Sequence, residues 1–371
     1  MSSDRSPKTI STVLVHRFLP LTSQRQLQVQ VEQHTVIMPS QTYTLATRVK
    51  LATGQTIPQI QLGLYMMSGK EAYQSTKWAL SAGYRGFDSA QMYHNEREAG
   101  KAILDWLSGP DNTDGLRRED IHYTSKLASC STSYDQVRRS IKKSVDVSGL
   151  GYVDLFLLHS PYGGREARLT SWKALEDAVE AGEVKMAGVS NYGVRHIEEL
   201  IASNPKVHPV INQIEVHPFN TQIPIRETCA KHNINVEAYA PLARAMRMKH
   251  PKIVSLAKGY NCTPAQLFVR WSLQNNMITL PKSVKKARLI ENVDVNGFEI
   301  SDDDLAMMEK LDEGLVTDWW VIFQVLQETL PDRLTFRQGP DRCSVNNHRG
   351  LRGDTALIWM GFENVVLMYC L

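Results

Sequence analysis

The chain has 371 residues, 42% of them hydrophobic, enough to bury one large core, and it suits a single α/β barrel of roughly 250 residues or more as well as two smaller domains. Its formal net charge is only +3 with Lys and Arg spread among acids, which argues against a nucleic-acid partner and for a small molecule. Cys130, Cys229, Cys262, Cys343 and Cys370 form no CxxC pair and no apolar run reaches membrane-span length, so a disulfide framework, a cysteine zinc site and a membrane protein are not expected.

Residues 1–44 are poorly patterned. Within them Arg5, Lys8, Arg17 and Arg25 stand against Asp4 and Glu32 among many Ser, Thr and Gln residues, loosely like a transit peptide. The simpler reading is an extension outside the fold of a cytoplasmic protein, with mitochondrial targeting as the lesser alternative. From 59 to 312, short apolar segments alternate with longer amphipathic ones. The pattern predicts strands over 60–64, 85–88, 121–125, 153–158, 186–189, 210–214, 236–239 and 278–280. Helices are expected over 70–82, 96–107, 133–147, 172–181, 195–202, 225–232, 264–274 and 287–292. The start at 264 is marked by Pro264 behind the capping hydroxyl of Thr263.

Eight βα units with short connections point to a (β/α)8 TIM barrel. The alternative is a doubly wound open sheet, although no GxGxxG follows the first strand. In a parallel barrel the strand C-termini share one face, where active sites are built. Asp88 ends the second expected strand, Tyr93 lies on the next loop, Lys126 follows the third strand and His159 the fourth. Ser190 and Asn191 follow the fifth, Gln213 and Glu215 lie at the sixth, Tyr239 ends the seventh, and Lys282 and Ser283 follow the eighth.

An acid, a phenol, an ammonium and an imidazole on one rim make a proton-transfer site. Reduction of a carbonyl by hydride needs a donor for the developing alkoxide and a slot that holds the hydride carrier. Tyr93 is the best proton donor, because a neighbouring ammonium makes a phenol more acidic; that role falls to Lys126. Asp88 would hold the ammonium and His159 would orient the carbonyl. Taken singly, each has a blander use, as a helix cap, a loop aromatic, a solvated charge or a strand-end histidine. Eleven histidines occur without an HExxH, so no metal is expected.

The runs 86–96 (GFDSAQMYHNE), 124–127 (TSKL), 157–161 (LLHSP), 185–192 (KMAGVSNY), 212–215 (NQIE) and 280–283 (LPKS) together resemble the signatures of the aldo-keto reductases, in the branch of diketogluconate-reductase-like small-molecule reductases. The resemblance spans about 45–320. It implies NADPH-dependent reduction of an aldehyde or ketone to an alcohol, and a β-hairpin, over 47–51 and 55–59 around Thr53 and Gly54, that plugs the barrel bottom. By the resemblance, Ser190, Asn191 and Gln213 bind the nicotinamide carboxamide and Tyr239 stacks on its ring, with Pro241 and Leu242 also assigned to the cofactor. Lys282, Ser283, Val284, Arg288 and Asn292 correspond to the adenosine-phosphate site, so NADPH is expected over NADH.

Departures from the family pattern fall mainly on the substrate pocket. Tyr65 and Ser160 stand where members often carry Trp, and the smaller residue at 160 opens the pocket to a bulkier substrate. Gln61 replaces a common Gly and Ala187 a larger aliphatic, which bears on local packing. The resemblance fades near 320, leaving 321–371 as an atypical tail, read as a lid, an interaction element or a segment foreign to the fold. A monomer acting on a small-molecule carbonyl is expected. Two alternatives stand beside it: a tailoring enzyme for one large metabolite, and a non-catalytic NADPH-binding regulatory barrel.

Overall fold

A computed structural model describes residues 42–317, together with the backbone of four short strands in the tail. Strands β1 (Arg48–Lys50) and β2 (Thr56–Pro58) pair antiparallel. Their connection passes through Gly54 at φ +86°, a left-handed conformation that costs glycine little. Leu51 and Ile57 of this hairpin share one buried cluster with Leu155, Leu157, Met186, Ile211 and Ile278 of the barrel strands and with Val210 just before one of them. The hairpin is therefore the plug that the sequence implied.

The barrel strands are β3 (Leu62–Gly63), β4 (Gly86–Asp88), β5 (His122–Leu127), β6 (Val153–Leu158), β7 (Val184–Ser190), β8 (Ile211–Glu215), β9 (Asn235–Tyr239) and β10 (Ile278–Thr279). Each pairs parallel with the next, in sequence order. The two edges meet. Ile60 bridges Thr279 in parallel, the Gln61 N–H donates to the Thr279 carbonyl at 3.0 Å, and the Thr279 N–H donates to the Gln59 carbonyl at 2.9 Å. Closure removes the exposed edges and sets aside the open-sheet alternative.

Around the strands lie α1 (Gly69–Ser81), α2 (Glu96–Leu107), α3 (Tyr134–Ser148), α4 (Gly164–Glu180), α5 (Val194–Ala202), α6 (Ile223–Lys231), α7 (Pro251–Gly259), α8 (Pro264–Gln274), α9 (Lys286–Glu291) and α10 (Asp302–Glu309). The longer helices pack an apolar stripe inward; α3, for example, buries Val137, Ile141 and Val145. The start of α8 is a capping box, with Thr263 Oγ1 accepting from the Gln266 N–H and Gln266 Oε1 accepting from the Thr263 N–H at 2.9 Å.

The expected elements are present with three differences. Helix α4 begins at Gly164 and not at 172, because its first turns carry Arg165, Glu166 and Arg168 and show little apolar rhythm. Helices α7 and α10 were not anticipated, although α7 opens on Pro251 and α10 on a Ser301 cap followed by three aspartates that suit a helix N-terminus. Lys126 and Ser190 lie within β5 and β7, not after them.

In the tail, β11 (Thr335–Gln338) pairs antiparallel with β12 (Cys343–Asn346), and β13 (Thr355–Ile358) with β14 (Leu367–Cys370). The roles considered for the tail, and the N-terminal extension up to residue 41, lie outside the described residues. No described helix is long and apolar enough to cross a membrane.

Helices α2 and α3 approach each other at a glycine. A Cβ on Gly100 would sit 1.8 Å from the Ser148 carbonyl oxygen, so Gly100→Ala must push the helices apart. The expected cost is about 1–3 kcal/mol, read as a lower urea midpoint; an unchanged midpoint would contradict the close approach.

Candidate active site

The strand C-termini open into a cleft of about 1150 Å³, above the roughly 300–1,000 Å³ usual for a small-molecule site. Asp88, Tyr93, His159, Ser190, Asn191, Gln213, Tyr239, Pro241, Leu242, Lys282, Ser283, Arg288, Asn292, Tyr65 and Ser160 all line it. Two expected residues do not. Lys126 lies wholly buried beneath the cleft, and Val284 packs half-buried against the hydrophobic core.

Lys126 is the centre of the site. Its Nζ donates to Asp88 Oδ1 at 2.6 Å, to the Ser89 carbonyl at 2.8 Å and to the Tyr93 hydroxyl at 3.2 Å. The three contacts match the three N–H bonds of an ammonium. Tyr93 closes the one-turn 3-10 helix Gln91–Tyr93, so a short turn after β4 brings the phenol back over the end of β5. Its ring lies 5.0 Å from that of Tyr65 and edge-on to that of His159 at 5.7 Å.

His159 follows β6 directly. Burial, aided by the nearby Lys126 charge, pushes its pKa down to about 3, so the imidazole is neutral across the physiological range. Asn191 adopts a left-handed backbone at φ 60°, which asparagine tolerates better than most residues. From there its Nδ2 donates to the His159 carbonyl at 3.0 Å and to Ser190 Oγ at 3.3 Å, while its Oδ1 accepts from the Tyr239 hydroxyl at 2.9 Å. Ser190 Oγ in turn donates to the Gln213 carbonyl at 2.8 Å. These bonds tie β6, β7, β8 and β9 together at the rim.

Two polar residues of the barrel interior escaped the sequence reading as parts of the site. Glu237, in the middle of β9, accepts from Gln213 Nε2 at 2.7 Å through one oxygen and from Gln61 Nε2 at 2.9 Å through the other. Gln61, noted only as a departure from Gly, is thus a buried hydrogen-bonding partner. Ala187 is fully buried in the core. The available signal for Glu237 was a lone acid between Val236 and Ala238 in an otherwise apolar strand. Met66, Met92, Tyr162 and Arg244 also line the cleft; they sit on connections and short 3-10 turns between the barrel elements, whose course the sequence does not give.

The fold and this mouth define a barrel enzyme with a buried ammonium set against a phenol. The profile of the aldo/keto reductase family matches residues 59–313. An uncharacterized oxidoreductase of Schizosaccharomyces pombe is 44% identical over 274 residues, covering 74% of this chain and 95% of that protein. The glyoxal reductase of Bacillus subtilis is 34% identical, covering 73% and 94%. Among solved structures, the Bombyx mori aldo-keto reductase in complex with NADP superposes with a TM-score of 0.69 at 29% identity, covering 75% of this chain and 97% of that one. The chain belongs to the aldo/keto reductase family. It is an NAD(P)H-dependent oxidoreductase of a family that acts on small-molecule carbonyls.

Burial, reinforced by the charge of Asp88, raises the Glu237 pKa from its ordinary 4.5 to about 8, against the opposing Gln213 hydrogen bond and Lys126. Between those values the folded chain keeps a proton that the unfolded chain has released, so this group makes stability fall as pH rises through the window. Glu237→Gln stays neutral throughout. Its melting temperature relative to wild type should therefore be higher at pH 8.5 than at pH 5, and an equal difference at both would contradict a protonated Glu237.

Proposed function

We propose that this chain reduces an aldehyde or ketone to an alcohol with NADPH, and that Tyr93 donates the proton. The observation that carries the reading is the Lys126 ammonium held between Asp88 and the Tyr93 hydroxyl. When bound, the reduced nicotinamide supplies the hydride. The residues present suit such a cofactor: Ser190, Asn191 and Gln213 offer the amide and hydroxyl groups that a carboxamide needs, and Tyr239 offers an aromatic face. Exposed Lys282 and Arg288 with Ser283 offer charge-assisted bonds to a 2′-phosphate, which favours NADPH over NADH.

Tyr93 gives its proton to the oxygen of the carbonyl as negative charge develops there. Lys126 stabilises the phenolate left behind, and Asp88 keeps the ammonium in place. His159 donates a hydrogen bond to the same oxygen from a neutral ring. Its Nδ1 is buried with no partner among the described residues, and a bare lone pair inside protein costs less than a bare N–H, so the proton belongs on Nε2. Tyr65, Met92 and Tyr162 give the substrate end an apolar, aromatic wall, and Ser160 leaves room beside His159; both favour a bulky carbonyl compound, in keeping with a tailoring step. The catalytic unit is the barrel of residues 45–320. A non-catalytic nucleotide-binding barrel is not favoured, because all four groups of the tetrad are in place.

Tyr93→Phe should lower kcat by about 10²- to 10⁴-fold in an assay following NADPH absorbance over a panel of aldehydes and ketones, with NADPH still bound. Undiminished turnover would remove Tyr93 from the proposed role. Arg288→Ala should weaken NADPH binding by roughly tenfold or more while changing NADH binding little; equal losses would move the 2′-phosphate elsewhere.

A further inference from the structure

Gln213 has two N–H bonds on its side chain, and carboxyl oxygens engage both: Asp88 Oδ2 at 2.8 Å and Glu237 Oε2 at 2.7 Å. Turning the amide over would set its carbonyl oxygen against two acid groups. The orientation is therefore held, and Oε1 is what Gln213 offers to the cleft it lines.

Glu237 is built in for this contact. It is fully buried and lies opposite Gln213 and Ile278 in the sheet register. Its second oxygen is taken by Gln61, which also donates to the Pro58 carbonyl at 3.3 Å. Room for Gln61 is made by Gly86, where a Cβ would lie 2.5 Å from Gln61 Cγ. Of the groups facing Glu237, Asp88 on β4 and Lys126 on β5 carry charge; Gln213 from β8, Ile278 from β10 and Gln61 from the lead-in to β3 are neutral.

The arrangement tolerates either protonation state of the acid. Ionised, Glu237 accepts from both glutamines, as seen. Protonated, it needs an acceptor, and Gln61 Oε1, buried without a partner among the described residues, becomes one when the Gln61 amide turns over. In both states Oε2 still accepts from Gln213.

We propose that Glu237, braced by Gln61, is a positioning residue that locks the Gln213 amide with its carbonyl oxygen toward the cleft, where it accepts a hydrogen bond from the carboxamide NH2 of the cofactor. The inference rests on the reading of Gln213 as the carboxamide partner. It has a consequence that core packing alone does not: the locked oxygen repels a cofactor carrying a carboxylate in place of the carboxamide. Loss of the lock lets Gln213 present its N–H bonds and accept the carboxylate.

The test uses the full chain and measures the Kd of NADP+ and of its nicotinic-acid analogue by tryptophan fluorescence, with thermal melting as the check on folding. Wild type and Glu237→Gln, which keeps an acceptor for Gln213, should prefer NADP+ by the same factor to within about threefold. Glu237→Leu should shrink that preference by about tenfold or more, the scale of a hydrogen bond to a charged group. Gln61→Gly, which unbraces the acid, should shrink it by a smaller factor and decides the question if the Leu variant does not fold. A wild-type preference in both folded variants, or in Gln61→Gly alone where the Leu variant is unfolded, would overturn the proposal. Gln213→Leu separates the two levels. If wild type binds no NADP+, or if Gln213→Leu leaves the preference intact, the carboxamide reading fails and the inference fails with it; if Gln213→Leu alters the preference and the Glu237 variants do not, the inference alone fails.

Discussion

A buried ammonium organises this molecule. Lys126 has no exposed surface, and a lone charge in such a place costs several kcal/mol unless it is compensated. Asp88, the Ser89 carbonyl and the Tyr93 hydroxyl supply that compensation. Much of the surrounding electrostatics follows. Burial, aided by the same charge, keeps His159 neutral, and burial, reinforced by the Asp88 carboxylate that balances Lys126, makes a second ionised acid at Glu237 unfavourable. The site thus holds one ion pair and surrounds it with neutral groups that can donate or accept.

Holding such a pair buried beneath an open cleft requires a rigid frame. The contributing side chains come from the ends of several strands, Asp88 and Tyr93 from β4 and the turn after it, Lys126 from β5 and His159 from just after β6, so their positions depend on sheet register as well as on their own rotamers. Register is fixed all the way round because the sheet closes between Gln59–Gln61 and Thr279, and the plug hairpin fills the opposite end with Leu51 and Ile57. The rim bonds through Ser190, Asn191 and Tyr239 then fasten four adjacent strands directly beside the chemistry. The placement of the phenol depends on a single turn of 3-10 helix after β4.

Most of this frame was legible from the residues. The βα alternation and the polar residues that end each apolar run placed Asp88, His159, Asn191 and Tyr239 on one face, and the boundaries of α2 and α8 coincide with those expected. Less was legible where a residue's meaning depends on closure. An isolated acid such as Glu237 in a strand reads as a residue facing water, and only a closed barrel turns it toward Gln213 and Gln61. Gln61 likewise looked like a packing irregularity because its partner is remote in sequence. Met66, Met92 and Arg244, on connections and short 3-10 turns, carry no periodic signal, and α4 begins in a charged stretch that masks its apolar stripe.

In the proposed mechanism the Lys126 charge drives proton donation by Tyr93. The most direct measurement is single-turnover reduction of an aldehyde by Lys126→Met saturated with NADPH, followed by stopped-flow absorbance beside wild type. The variant should transfer hydride more slowly by about 100-fold or more, with NADPH binding within a few-fold of wild type. A folded Lys126→Met protein that transfers hydride at the wild-type rate would contradict it.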